Sequence, residues 1–577
     1  VGPVNEVEVK LAGIWQAVLG LEQVGVTDNF FTLGGDSIVS IQVVSRARQA
    51  GIRFTPKDLF QHQTVQSLAQ VARTGAEALV VDQSPATGAA VLLPMQQNFF
   101  EEVSAERHHW NQSVLLKPRN ALHAASLERA LDAVCSHHDA LRLRFVEQGD
   151  GWAARFGEVQ TQYSLLSQVS LGHPDELAVA GLEAQQSLNL QDGPLLRALL
   201  ATLADGSQRL LLIIHHLVVD GVSWRVLLED LQRAYTQVQS DQAIRLPAKS
   251  SAVQQWGKRL QGYARSAEVH AELPFWQAQL QSTAQLPCDF LDGPRLNRHA
   301  MTVQTRLDAT VTRQLLQQAS AAYRTQVNDL LLTALARVIA RWTGEHATGI
   351  ALEGHGREDL FDDLDLTRTV GWFTSLFPVR LQVADDLGAS IKAVKEQLRA
   401  VPHKGIGFGA LRYLGDEASQ ATLGGLPMPR ITFNYLGQFD NQFDDQALFV
   451  PAGEPAGAEQ SQDAELANWL TLNSQVYGGE LSLSWTFSHR MFAPHTIHPQ
   501  RRHTLGFPVG TAHPGAAGQL AIGGRRGGRY LPAVADAARY VVPQPLRTGK
   551  RRVHQPVACR CRRFAGRAFP GGLAGGD

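Results

Sequence analysis

Three constellations in this 577-residue chain place reactive side chains at turns. Ser37 ends the run Asp28-Asn29-Phe30-Phe31-Thr32-Leu33-Gly34-Gly35-Asp36-Ser37. A serine between a tight Gly-Gly turn and a helix start suits attachment of a phosphorylated arm, because free N–H groups at a helix N-terminus favour an anion. His215 and His216 close the apolar run Leu210-Leu211-Leu212-Ile213-Ile214, and Asp220-Gly221 follows four residues later. Strand alternation sends the two histidines to opposite faces, so only one points into any given cavity. Asp220 can anchor the turn through a salt bridge, and Gly221 permits it. Glu353 comes directly after Gly349-Ile350-Ala351-Leu352, at a strand end. Histidine titrates near ~6.5 and works as base or acid at neutral pH, whereas glutamate, near ~4.3 in water, becomes a useful acid only where burial raises it.

The elements that must hold these groups are legible as periodicities. Ile38, Ile41, Gln42, Val44 and Ser45 recur at helical spacing up to Gly51, which predicts a helix opening at Ser37. Val7 to Leu19 and Leu59 to Val71 predict flanking helices, and a helix starting near Ser223 would bury Val226, Leu227, Leu231 and Tyr235. From Leu92 onward amphipathic stretches alternate with β-rich runs at Arg209–Leu217, Gly349–Leu352 and Leu481–Phe487, a mixed α/β pattern. Residues 75–90, rich in Ala, Gly, Ser and Pro, read as a flexible linker. The division expected is 1–74, linker 75–90, two halves at 90–265 and 266–497, and a tail at 498–577. Gly405-Ile406-Gly407-Phe408-Gly409 lacks the Lys-Ser/Thr and βαβ setting of a nucleotide loop and reads as a tight turn. His137-His138, His108-His109 and His355 have no partners at metal spacing and read as structural or surface residues; no metal site is expected.

Composition bounds the function. The chain is 44% apolar and 19% charged, enough for three or four domains. No apolar run reaches 18 residues and no signal pattern opens the chain, so no membrane partner and a cytoplasmic location are expected. Four cysteines over this length agree with a reducing compartment. The net charge of −1 conceals two unlike pieces: residues 498–577 hold fourteen Lys or Arg against Asp536 and Asp577, leaving 39 basic and 52 acidic groups in the rest. An acidic body argues against nucleic acid as partner. The tail breaks helical pattern with Pro499, Pro508 and Pro514 and is otherwise Arg, Gly, Pro and Ala, as expected of a disordered segment or an out-of-frame reading of GC-rich codons. Its Gly523–Tyr530 tract imitates an RNA-binding segment, and Cys559 and Cys561 with His554 imitate a metal site. With Val1 rather than Met at its start, the chain is expected to be a fragment.

Residues 5–73 resemble the peptidyl carrier domain of nonribosomal peptide synthetases, in which the serine at Ser37 holds 4′-phosphopantetheine. Asp36 before it resembles carriers that precede an epimerization domain. His-His-x-x-x-Asp-Gly at 215–221 is similar to the signature of the condensation-domain superfamily, in which the second His, here His216, is catalytic and the Asp, here Asp220, structural. Six further segments resemble epimerization-domain motifs in order: Leu93–Phe100, with Asn98 where Trp is usual; Asn328–Ala334; Glu353–Glu358; Arg368–Pro378; Pro402–Gly409; and Phe433–Asp440.

That resemblance implies an all-α four-helix carrier bundle followed by a two-lobed domain with chloramphenicol-acetyltransferase-like halves. It implies epimerization of an aminoacyl or peptidyl thioester at the α-carbon, with His216 and Glu353 as the proton-transfer pair; Tyr435, in the last of these segments, is a further candidate for holding the thioester or the enolate. The implied partners are an upstream adenylation domain, a downstream condensation domain or synthetase subunit, and a phosphopantetheinyl transferase. A carrier followed by a peptide-bond-forming condensation domain, or by a silent docking module, are the alternatives.

Overall fold

The computed structural model describes residues 2–75, 81–159, 163–281, 285–438 and 447–497; the tail at 498–577, with Cys559, Cys561 and His554, lies outside them. The first 75 residues form helices α1 (Glu6–Leu19), α2 (Ser37–Gln49), α3 (Pro56–Gln61) and α4 (Val65–Val71) around a core in which Trp15 and Phe30 meet edge to face at 5.0 Å. The single helix expected from Leu59 to Val71 is instead two. Thr64 leaves the helical conformation and caps α4 by accepting from Ser67 N–H, and His62 ends α3.

The described part of the expected linker is held against the body. Gln83 exchanges hydrogen bonds with the Lys249 backbone, Ala86 N–H donates to Asp139, and Ala89-Ala90 pair with Arg155 and Ala154. Residues 76–80 of that segment lie outside those described.

The remainder is mixed α/β, as the alternation of patterns predicts. Its first half carries helix α5 (Pro94–Glu102), strand β1 (Asn111–Pro118), helix α6 (Ala124–His137), strands β2 (Leu166–Leu171), β3 (Leu196–Leu203) and β4 (Gln208–His215), and helix α7 (Gly221–Gln239). The sheet order is β1-β4-β3-β2, extended beyond β1 by the short strand Phe449–Pro451 reaching over from the second half. The second half carries β5 (Ala300–Leu307), helix α8 (Val327–Thr343), β6 (Ala347–Gly354), β7 (Ser375–Gln382), β8 (Ile431–Gln438), β9 (Leu470–Tyr477) and β10 (Glu480–Ser488), ordered β5-β10-β9-β8-β6-β7. One continuous apolar core spans both halves, and α7 buries Val226, Leu227, Leu231 and Tyr235 in it as its spacing predicts.

The glycine-rich run at 405–409 makes a turn and a short helix. Gly405 has φ +87° and lies so close to the Phe377 ring that a Cβ would overlap it, while a Cβ at Gly407 would strike the Glu272 carboxylate. Among the described residues no helix is long and apolar enough to cross a membrane.

Candidate functional site

A cavity of about 340 Å³ brings Ser37, Gln112, His216, Glu353, Trp372 and Tyr435 together from three parts of the chain. β4 ends at His215, and a single 3-10 turn over His216–Val218 leads toward α7. The two histidines separate as strand alternation requires. His215 is fully buried, with Nε2 on the Arg107 carbonyl at 2.8 Å and Nδ1 accepting from Leu217 N–H at 3.2 Å; burial pushes it down to about 3. His216 faces the cavity, stacked on Trp372 with ring centroids 4.2 Å apart. Its Nδ1 lies 3.0 Å from the Val219 carbonyl and its Nε2 3.1 Å from Gln112 Nε2. Burial lowers its pKa, with the Val219 bond and Asp220 opposing.

Asp220 holds the turn. Its Oδ1 accepts from Ser223 N–H, capping α7, and its Oδ2 meets Arg357 Nη1 at 2.6 Å and Phe373 N–H at 3.0 Å. The anticipated salt bridge is therefore present and joins the two halves. The role expected for Gly221 is corrected: its φ is not positive, and a Cβ there would meet only Leu436 at 3.8 Å. As the first residue of α7 lining the cavity, it keeps space open.

Glu353 sits near the end of β6, half-buried, its carboxyl turned to the cavity and pushed up by burial to about 7. Tyr435 on β8 is buried with no hydrogen-bond partner for its hydroxyl, and burial, with the Asp36 charge adding, raises its pKa. His355, read from the sequence as structural or surface, lines the same cavity and pairs with Glu358 at 3.3 Å.

Ser37 is the first residue of α2, but the N–H groups expected to be free there are not. Asp36 Oδ1 takes those of Ile38 and Val39, at 2.9 and 2.7 Å. Asp36, not Ser37, is thus the cap, which leaves the Ser37 hydroxyl outside it. Burial raises the Asp36 pKa, opposed by its backbone bonds and by Arg225 of α7. The helical domain is fastened by Gln438 Nε2 donating to the Gly34 carbonyl at 2.6 Å, Lys57 N–H donating to Asp359 at 3.2 Å, and an Arg48–Asp365 ion pair.

A phosphopantetheine arm suits this setting. Asp36 Oδ2, Asn328 Oδ1 and the Tyr435 hydroxyl, buried without hydrogen-bond partners, belong to residues that line a small hollow beside Ser37. They can engage an arm's amides and hydroxyls.

Gln112 and Trp224 escaped the sequence reading. The one signal for Gln112 is the polar opening Asn111-Gln112-Ser113 of its strand. His137 and His138 do acquire a partner that spacing did not show: their ligand atoms and one from Asp230 lie within 4.8 Å of one another. Asp230 is already bonded to Arg368 at 2.5 Å and to His138 at 2.9 Å, so a cation there would face a guanidinium.

Comparison with known proteins matches residues 9–72 to the phosphopantetheine attachment site family and residues 86–506 to the condensation domain family. A linear gramicidin synthase polypeptide of Brevibacillus parabrevis is 44% identical over 513 residues, covering 86% of this chain. Surfactin synthase subunit 1 of Bacillus subtilis is 41% identical, again covering 86%. The chain spans only 7% and 14% of those two proteins. The crystal structure of the epimerization domain from the third module of tyrocidine synthetase B superposes with a TM-score of 0.67 at 35% identity, covering 71% of this chain and 94% of that one. The X-domain from teicoplanin biosynthesis shares the fold, at TM-score 0.56 and 19% identity. The chain belongs to the condensation-domain family of the nonribosomal peptide synthetases, with a carrier domain for covalent 4′-phosphopantetheine ahead of it.

Proposed function

We propose that this chain epimerizes the α-carbon of an aminoacyl or peptidyl thioester carried on Ser37. The arm supplies the tether and the thioester, whose carbonyl acidifies the adjacent C–H. His216 and Glu353 do the proton transfer. At neutral pH His216 is unprotonated and Glu353, near pKa 7, holds its proton about half the time, so the cavity offers a base and an acid from opposite halves of the domain. His216 takes the L-proton, Glu353 delivers one to the other face, and exchange with solvent then removes the proton from His216 and returns one to Glu353. Tyr435, whose hydroxyl has no partner among the described residues, donates toward the thioester oxygen as charge develops there. The observation that carries this reading is the shared cavity: Ser37, His216 and Glu353 all line it.

The 35% identity with an epimerization domain supports epimerization over peptide-bond formation within the family. The upstream adenylation domain that charges the arm, a downstream condensation domain or synthetase subunit that takes the product, and the transferase that installs the arm belong to the same proposal.

Single variants His216→Ala and Glu353→Gln test it on an already loaded carrier in deuterated solvent. Each is expected to lower the rate of D-isomer formation at least a hundredfold, while the surviving partner still exchanges the α-hydrogen for deuterium. Wild-type D/L equilibration in both variants would contradict the assignment.

A further inference from the structure

The hydrogen bonds around His216 fix more than its position. Trp224 Nε1–H donates to Gln112 Oε1 at 2.9 Å. An indole nitrogen can only donate, so the Gln112 atom facing it must be the oxygen and the atom facing His216 must be the amide NH2. That NH2, 3.1 Å from His216 Nε2, can only donate as well. His216 Nε2 therefore carries a lone pair and the ring proton sits on Nδ1, as the Val219 carbonyl 3.0 Å away independently requires. Both ends of the chain Trp224–Gln112–His216–Val219 assign the same tautomer.

We propose that Gln112 is a positioning residue that holds His216 in the Nδ1–H tautomer and opposes protonation at Nε2. When Nε2 takes a proton, the imidazolium N–H points at an amide N–H. Relief requires Gln112 to turn its amide over, which leaves the Trp224 N–H facing NH2. The imidazolium is thereby disfavoured, in the same sense as the burial that lowers His216. In the proposed reaction this makes His216 a base that surrenders its proton readily.

Other charged and titratable groups face His216 and must stay constant in any test. Asp220, paired with Arg357, flanks it in the chain and favours its protonation, while His215, on its other side, is uncharged because burial pushes it down to about 3. Glu353, Tyr435 and the His355–Glu358 pair share its cavity, and Arg324, Asp329, Arg399 and Lys404 line the same space.

The test is a pH titration of the full chain labelled with 15N-histidine, the His216 signals being those lost in His216→Ala among the 20 histidines. In the native protein Nδ1 is expected to carry the proton, with titration below ~6.5. Gln112→Glu offers a carboxylate that accepts from both Trp224 and an imidazolium, and is expected to raise the His216 titration by at least one pH unit. Trp224→Phe frees the amide to turn and is expected to raise it by a smaller step; this variant decides the matter should the buried charge of Gln112→Glu prevent folding. A folded variant of either kind with an unchanged His216 titration, or native signals showing the proton on Nε2, would overturn the proposal. The inference draws its catalytic meaning from the reading of His216 as a base, but the titration needs no turnover. Absence of D-isomer would therefore sink that reading while leaving the Gln112 measurement intact.

Discussion

Arg357 Nη1 stands 2.6 Å from Asp220 Oδ2, with both side chains buried, so one ion pair ties the segment after β6 to the cap of α7. Glu353 precedes Arg357 by four residues and His216 precedes Asp220 by four, so the pair fastens together the two segments that carry the proposed acid and base. Arg357 Nη2 also reaches the Ser223 hydroxyl and the Thr369 carbonyl, each at 2.9 Å. Removing one partner leaves the other as an uncompensated buried charge. Arg357→Met is expected to cost about 3–5 kcal/mol in urea unfolding, and adding Asp220→Asn should recover part of it. A loss below about 1 kcal/mol in the single variant would show that the pair does not hold the halves together.

Glu353 predicts a pH dependence of stability. Burial raises its pKa from 4.5 to about 7, so between those values the native state keeps a proton that the unfolded chain has lost. The contribution is fully present below pH 4.5 and fades as pH rises through 7, by up to about 3 kcal/mol. Glu353→Gln removes the titration. Its stability relative to the native protein should therefore rise between pH 5 and pH 8 in denaturant titrations; parallel curves across that range would contradict the burial of the carboxyl.

Asp36 faces Arg225 across the junction between carrier and body, and it also caps α2. Asp36→Asn keeps a capping side chain and removes the charge, whereas Asp36→His removes the carboxylate cap and sets a basic ring beside Arg225. On loaded carrier the Asn variant is expected to epimerize several-fold more slowly and the His variant at least tenfold more slowly. Equal rates for the two would mean that the Arg225 charge is not felt at the junction.

Much of this arrangement was written in local sequence. The helix opening at Ser37, the strand ending at His215, the helix beginning near Ser223 and the strand bringing Glu353 to its end all follow from short-range periodicity and turn residues. Where local reading failed, another contact prevailed. Thr64 found a cap inside an apparently continuous helical pattern, and Asp36 took the N–H groups that Ser37 was expected to leave free. Gln112 could not be found because its meaning depends on Trp224 and His216, 112 and 104 residues away. His355 likewise shows its place only once β6 and α7 enclose one cavity.

On the proposed reading, the thioester on Ser37 equilibrates at its α-carbon in this chain alone. The direct measurement starts from two preparations, one loaded with an L-aminoacyl arm and one with the D form, and follows the chirality of the thioester released over time, with Ser37→Ala as the unloaded control. Both preparations are expected to converge on the same D/L mixture, with no product from the control. L material that stays L and D material that stays D, in protein shown to be folded and loaded, would contradict the account.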